Sequence, residues 1–184
     1  SCCPAVRQAA CLPPGLGVTA SYSIMRIDGQ TFASGTRSMK LTGGQIVVDT
    51  LVREGVPYLV GIPGPQTLGL LDALLGQDRL QMLQVRHEQA AVFLADGYYR
   101  VAGTPLAVLA SMGPSAMNTL SGVVSCAVDS VPVLVLAGSG PAEMADRGEL
   151  QELERGRAGG SLAVFAPVAR GVWRPASAAH VPRA

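Results

Sequence analysis

The sequence predicts a doubly wound α/β domain, a parallel sheet with helices on both faces. Helix and strand signals alternate from Met39 onward. The runs "LAVLAS" at 106–111 and "VPVLVLAG" at 131–138 are apolar on both faces, which suits covered parallel strands rather than an antiparallel sheet with one wet face. Only four strand signals are clear, so a closed eight-fold barrel is excluded by count.

The elements follow in order. Thr42 is a side-chain N-cap in front of a helix over 43–54, and a strand over 57–62 leads into the turn "GIPGPQ". A helix over 67–75 and a strand over 80–85 come next. The charged cluster Arg86-His87-Glu88 then runs into a helix over 88–102. Glu88, Ala91, Val92, Ala95 and Tyr99 share one stripe of it, and Gln89, Phe93, Asp96 and Arg100 form the next, with an Asp96–Arg100 ion pair at i,i+4. A strand over 106–111, a helix over 116–128 and a strand over 131–137 complete the core at 39–140.

The flanks read differently. Residues 1–38 are rich in Pro, Gly, Ser and Thr without sustained periodicity, and are expected to be a disordered leader. Residues 141–184 read as an extension of the domain and a linker toward a further domain, with Pro167, Pro175 and Pro182 preventing continuous helix. At 184 residues the chain is long enough for one sizeable core and too short for two ordinary domains. A net charge of +1, with both signs dispersed, leaves no footprint for nucleic acid or an anionic membrane. The apolar runs are too short to span a bilayer, and no signal-peptide core stands in 1–40. The four cysteines make neither a zinc spacing nor a disulfide framework, which fits a reducing, cytoplasmic setting.

Common site motifs fail in turn. Lys40 is the only lysine and follows Met39, so no P-loop exists. Neither "GIPGPQ" nor "GSGPAE" supplies a dinucleotide glycine pattern, which leaves a Rossmann-like nucleotide module with the fold alone behind it. Two distant histidines and no nucleophile elbow exclude a hydrolase triad. Glu88 has two readings: an acid complementing the helix dipole in the first turn, or a carboxylate in a dry pocket whose proton affinity is raised by desolvation.

The runs "LVGIPGPQTLGLLDALL", "VRHEQAAVFLADGYYRVAGTP", "SMGPSAMNTLSGVVSCAVDSVPVLVLAG" and "GELQELE" together resemble the N-terminal, pyrimidine-binding domain of thiamine diphosphate enzymes of the acetolactate synthase and 2-oxo acid decarboxylase type. The resemblance covers about residues 39–175. It implies that Glu88 bonds N1′ of the cofactor's aminopyrimidine and promotes the imino tautomer whose 4′ nitrogen takes the C2 proton. It implies that Pro63 and Gly64 form a turn near the pyrimidine, as an ordinary strand-to-helix turn also would. Asn118 matches the asparagine closing the family's glycine-proline loop, although an N-cap explains an asparagine there as well. Gln151 matches a glutamine that reaches the reaction centre, or stands on a solvated helix face. His87 lines the same pocket or caps a carbonyl at the strand end.

Three departures accompany the matches. Ser115 stands where the family carries glycine, so a Cβ is expected to obstruct a positive-φ conformation. Leu150 stands where acetolactate synthases carry an aromatic, which leaves the 2-oxo acid open. No G-D-G signature for Mg²⁺ and diphosphate occurs in the sequence. The expectation is therefore the ring-activating half of a 2-oxo acid lyase or transferase. The resemblance implies that Mg²⁺ and diphosphate are held by a second subunit or diphosphate-binding domain, and that the protein is a homo-oligomer. A non-catalytic dimerisation or regulatory domain of the same family is the alternative.

Overall fold

A computed structural model describes residues 19–20, 41–140, 147, 151–152, 160–175 and 177–183. Helix α1 (Gly43–Arg53) starts where Thr42 predicts. The Thr42 hydroxyl accepts from the Gln45 N–H, and the Gln45 side chain accepts from the Thr42 N–H, a reciprocal box that satisfies two otherwise open donors. Its buried side, Val47, Val48 and Leu51, faces the sheet.

Among the described residues five parallel strands form that sheet: β1 (Thr19–Ala20), β2 (Tyr58–Gly61), β3 (Gln81–Gln84), β4 (Ala107–Ala110) and β5 (Leu134–Ala137), in spatial order β1-β5-β4-β2-β3. Four are the expected ones. The fifth, two residues within the leader, pairs with β5 opposite Leu134 and Val135. The rest of the 1–38 expectation, and most of the charged stretch 141–159, lies outside the described residues.

Side-chain alternation divides the core. Leu59, Leu109 and Leu136 point to the face covered by α1 and α2 (Leu68–Leu74). Val60, Val108 and Val135 point to the face covered by α3 (Glu88–Ala102) and α5 (Leu120–Val128). This split follows from strand order. The chain steps from β2 outward to β3 through α2, then back past β2 to β4 through α3. Right-handed crossovers in opposite directions must lie on opposite faces. Phe165, at the end of α6 (Gly160–Phe165), joins the α3/α5 core, and Val181 joins the α1/α2 core. No helix among the described residues is long and apolar enough to cross a membrane.

The helix expected over 67–75 is α2 at Leu68–Leu74, and a separate 3₁₀ turn at Pro65–Thr67 leads into it. The helix expected over 116–128 begins earlier, as α4 (Pro114–Asn118), and breaks before α5. The buried Thr119 hydroxyl donates to the Ala116 carbonyl, and the Thr119 N–H bonds the same residue, tightening the junction. The predicted ion pair is present: Arg100 bonds Asp96 and also reaches Asp129.

Helices α3 and α5 touch through Gly122, where an added Cβ would lie 2.6 Å from Val92 Cβ. Gly122→Ala is expected to cost about 1–3 kcal/mol in urea unfolding through overpacking. Gly97, exposed on α3 with open space around it, is the counterpart. Gly97→Ala is expected to add about 0.5–1 kcal/mol.

Candidate functional site at the carboxyl edge of the sheet

The chain departs from β2 and from β4 toward opposite faces, so the loops after these neighbouring strands open a crevice at their carboxyl ends. That is the switch point where open α/β sheets bind ligands. Backbone from the first loop comes very close to the second. An added Cβ at Gly64 would lie 2.7 Å from Ser111 Cβ, so only glycine permits the approach. Thr67, buried, braces that loop by accepting from the Gly64 N–H and donating to the Gly64 carbonyl. The Ser111 hydroxyl donates to Gln66 Oε1 at 2.9 Å and ties the two loops together.

Glu88 opens α3 beneath this edge. It is 7% exposed, on the same stripe as the fully buried Ala91, Val92 and Ala95. Ser115 Oγ donates to its Oε1 at 2.6 Å, and Asn118 Nδ2 donates to its Oε2 at 2.9 Å. Ser115 Oγ in turn accepts from the Ser111 N–H at 2.9 Å. Burying a carboxylate is costly unless its oxygens are bonded, and here both are. Burial pushes the Glu88 carboxyl up, but bonds from Ser115, Asn118 and its own backbone, with the charge of His87, outweigh it and hold the group below its ordinary value. The expected rise in proton affinity is thus corrected: desolvation acts in the expected sense and hydrogen bonding wins.

Other expectations change with the geometry. Ser115 is not an obstruction. It lies within α4, is absent from the positive-φ residues, and supplies the shortest bond to Glu88. The positive φ of this loop falls instead on Gly113, at φ 62° and ψ −121°. Asn118 ends α4 rather than capping a helix start, and its amide turns to Glu88. Among the described residues His87 caps no carbonyl. It is the N-cap of α3, exposed, with Nδ1 accepting from the Gln89 N–H at 3.3 Å. Pro63 is exposed on the loop after β2. Gln151 is exposed, has a left-handed φ of 64°, and lays its backbone against Gly113. The structure therefore brings Glu88, Ser115 and Asn118 together, with Gln151 against the same loop. Gly64 sits on Ser111, one bond away through Ser115. Ser111 and Gln66 were missed, because nothing in the local sequence marks a serine at a strand end as a relay.

A stability consequence follows from the depressed Glu88 value. A carboxyl lowered in the folded state stabilises the fold above its unfolded value, near 4.5, and loses that contribution as pH falls through the folded value. Acidification below about pH 4.5 is expected to lower the urea midpoint of the parent more steeply than that of Glu88→Gln. Parallel slopes for the two proteins would show that Glu88 gains nothing on folding.

Residues 41–158 match the family described as thiamine pyrophosphate enzyme, N-terminal TPP binding domain. The chain is 42% identical over 99 residues to the acetolactate synthase large subunit of Haemophilus influenzae, covering 54% of this chain and 17% of that protein. It is 34% identical over 124 residues to the acetolactate synthase isozyme 1 large subunit of Escherichia coli, covering 66% and 22%. It is 32% identical over 130 residues to a probable acetolactate synthase large subunit of Methanocaldococcus jannaschii, covering 71% and 21%. The matched region thus spans about a fifth of each relative. A parallel α/β domain, a buried glutamate at the carboxyl edge of its sheet, and a match over most of the described core have one common account: the chain belongs to the thiamine pyrophosphate enzymes, as an N-terminal TPP-binding domain of the acetolactate synthase-like kind.

Proposed function

We propose that this chain holds and activates the aminopyrimidine ring of thiamine diphosphate, through Glu88, within a lyase or transferase that cleaves or forms C–C bonds of 2-oxo acids. The observation that carries the reading is a buried carboxylate at the switch-point crevice, oriented by two donors from another element. The residues fit a flat, nitrogen-bearing ring. Gly64 lets the loop after β2 close onto Ser111 beside the crevice, and a carboxylate accepting one bond on each oxygen retains lone pairs for a ring nitrogen. Bound there, the cofactor supplies a carbon nucleophile and an electron sink. Glu88 holds a proton shared with N1′, Asn118 keeps the carboxylate turned, and Pro63 and Gly64 shape the wall. His87 and Gln151 stand at the exposed rim, where the oxo acid enters.

Among the described residues no group of three His, Cys, Asp or Glu side chains is placed to hold a metal. On this reading Mg²⁺ and the diphosphate belong to a second subunit or diphosphate-binding domain, in a homo-oligomer of the cytoplasm. What supports a partner is that Phe93 and Leu94 of α3 and Val124 and Val128 of α5 are exposed apolar side chains.

The test is a calorimetric titration with thiamine diphosphate and Mg²⁺, of the purified chain alone and with a candidate diphosphate-binding domain. Binding is expected in both, tighter with the partner, while the 184-residue chain alone turns over no 2-oxo acid. Binding of a dinucleotide in place of thiamine diphosphate would favour the nucleotide module. Turnover by the chain alone would overturn the division of labour between the two halves.

A further inference from the structure

We propose that Ser115 is a positioning residue that passes the Ser111 N–H through its hydroxyl to Oε1 of Glu88, and so fixes both the orientation and the ionised form of the carboxylate before any ligand arrives. The directionality of hydrogen bonds carries the argument. A backbone N–H only donates, so the 2.9 Å contact with Ser111 is met by a lone pair on Ser115 Oγ. The single hydroxyl hydrogen is then left for Glu88 Oε1, at 2.6 Å, the length of a bond from a hydroxyl to a charged oxygen. Asn118 Nδ2 points a hydrogen at the other oxygen.

A neutral Glu88 must put its hydrogen on a remaining lone pair of an oxygen that already accepts a bond, and a hydroxyl oxygen accepts more weakly than a charged one. Turning the Ser115 hydroxyl to accept from a protonated Glu88 gives up the bond it now donates to Oε1. Protonation therefore weakens at least one of the two bonds. Around the carboxylate, α4 presents neutral groups only, and His87 on α3 is the titratable neighbour whose charge reaches it, in the same sense. The net lowering of the Glu88 carboxyl, despite burial, agrees with the relay.

The consequence for the ligand rests on the proposed function. A proton shared between Glu88 and the ring lies toward the ring nitrogen, because Ser115 and Asn118 already meet the oxygens with hydrogens. Ser115 acts only through Glu88 and touches no reacting atom.

The experiment follows the Glu88 carboxyl by carbon NMR in the ligand-free chain labelled at glutamate Cδ, with Glu88→Gln identifying the signal. Ser115→Ala removes the relay, and Ser115→Thr restores a hydroxyl at the same atom. The midpoint is expected to move up in Ser115→Ala and to return to the parent position in Ser115→Thr, with unfolding curves checking that each variant is folded. An unchanged or lowered midpoint in Ser115→Ala overturns the proposal, as does a Ser115→Thr variant that folds like the parent and titrates like Ser115→Ala. A thiamine diphosphate titration of the same samples is a separate arm. Its failure overturns the reading of function, while the ligand-free titration still decides the role of Ser115.

Discussion

Replacing Glu88 by Gln is expected to slow C2-proton exchange on bound thiamine diphosphate by about two to four orders of magnitude, the usual range for removing a positioned acid–base group, while the fold survives. The geometry says why the two effects separate. The Gln carbonyl can take the Ser115 bond that Oε1 now accepts, and the Asn118 amide can turn over to present its oxygen to the new NH₂. Length, burial and hydrogen bonding are then kept, and the desolvation of a charge is relieved. What Gln cannot do is share a proton with a ring nitrogen. If Glu88 served only the helix dipole, the same substitution would cost about 0.3–1 kcal/mol and leave exchange alone. Proton exchange by NMR and thermal unfolding, measured on parent and Glu88→Gln in the assembled enzyme, tell the two apart. Normal exchange in the variant would falsify the role given to Glu88.

How far the sequence reveals this site depends on the range of the interaction. Thr42 and Gln45 are three residues apart, so the capping box is visible in the sequence and present in the structure. The strands at 106–111 and 131–137 declare burial on both faces because they hold no polar side chain inside the run, and the burial of Leu106 to Ala110 follows. Glu88 stands out because a charge on an apolar stripe is anomalous. Its partners do not stand out, for Ser115 and Asn118 are 27 and 30 residues away and a serine or asparagine near a turn has ordinary local explanations. Ser115 looks like a misfit in the sequence because the glycine expected there implies a positive φ that Ser115 does not have. Once α4 places it in helical conformation, its Cβ is harmless and its hydroxyl is the point of contact. Strand order is equally non-local. Nothing in β1 alone says that two residues pair beside Leu134 and Val135.

The conformation that Ser115 escapes is concentrated at Gly113, and Gly113→Ala is expected to have the largest structural effect of any single methyl group in the site. Gly113 is buried, with φ 62° and ψ −121°, a region that residues with a Cβ occupy only under strain. That alone costs on the order of 1–3 kcal/mol. The added carbon would also press on the Gln151 backbone, whose carbonyl carbon would be 3.1 Å away and whose oxygen nearer still. Backbone cannot swing aside like a side-chain tip, and Gln151 already holds a left-handed φ of 64°. Relief must come from moving the turn that starts α4, and with it Ser115 and Asn118. The expected result is a loss of about 2–4 kcal/mol in urea unfolding, combining strain and overpacking. The Glu88 titration should move upward as the 2.6 and 2.9 Å bonds loosen. Thiamine diphosphate affinity should fall by roughly tenfold or more if even one such bond's worth of orientation is lost. The comparison with Gly97→Ala, the same chemical change in open helix, isolates the backbone term. A Gly113→Ala protein that unfolds at the parent midpoint and titrates Glu88 at the parent pH would show that the loop carrying Ser115 and Asn118 is not held by this glycine.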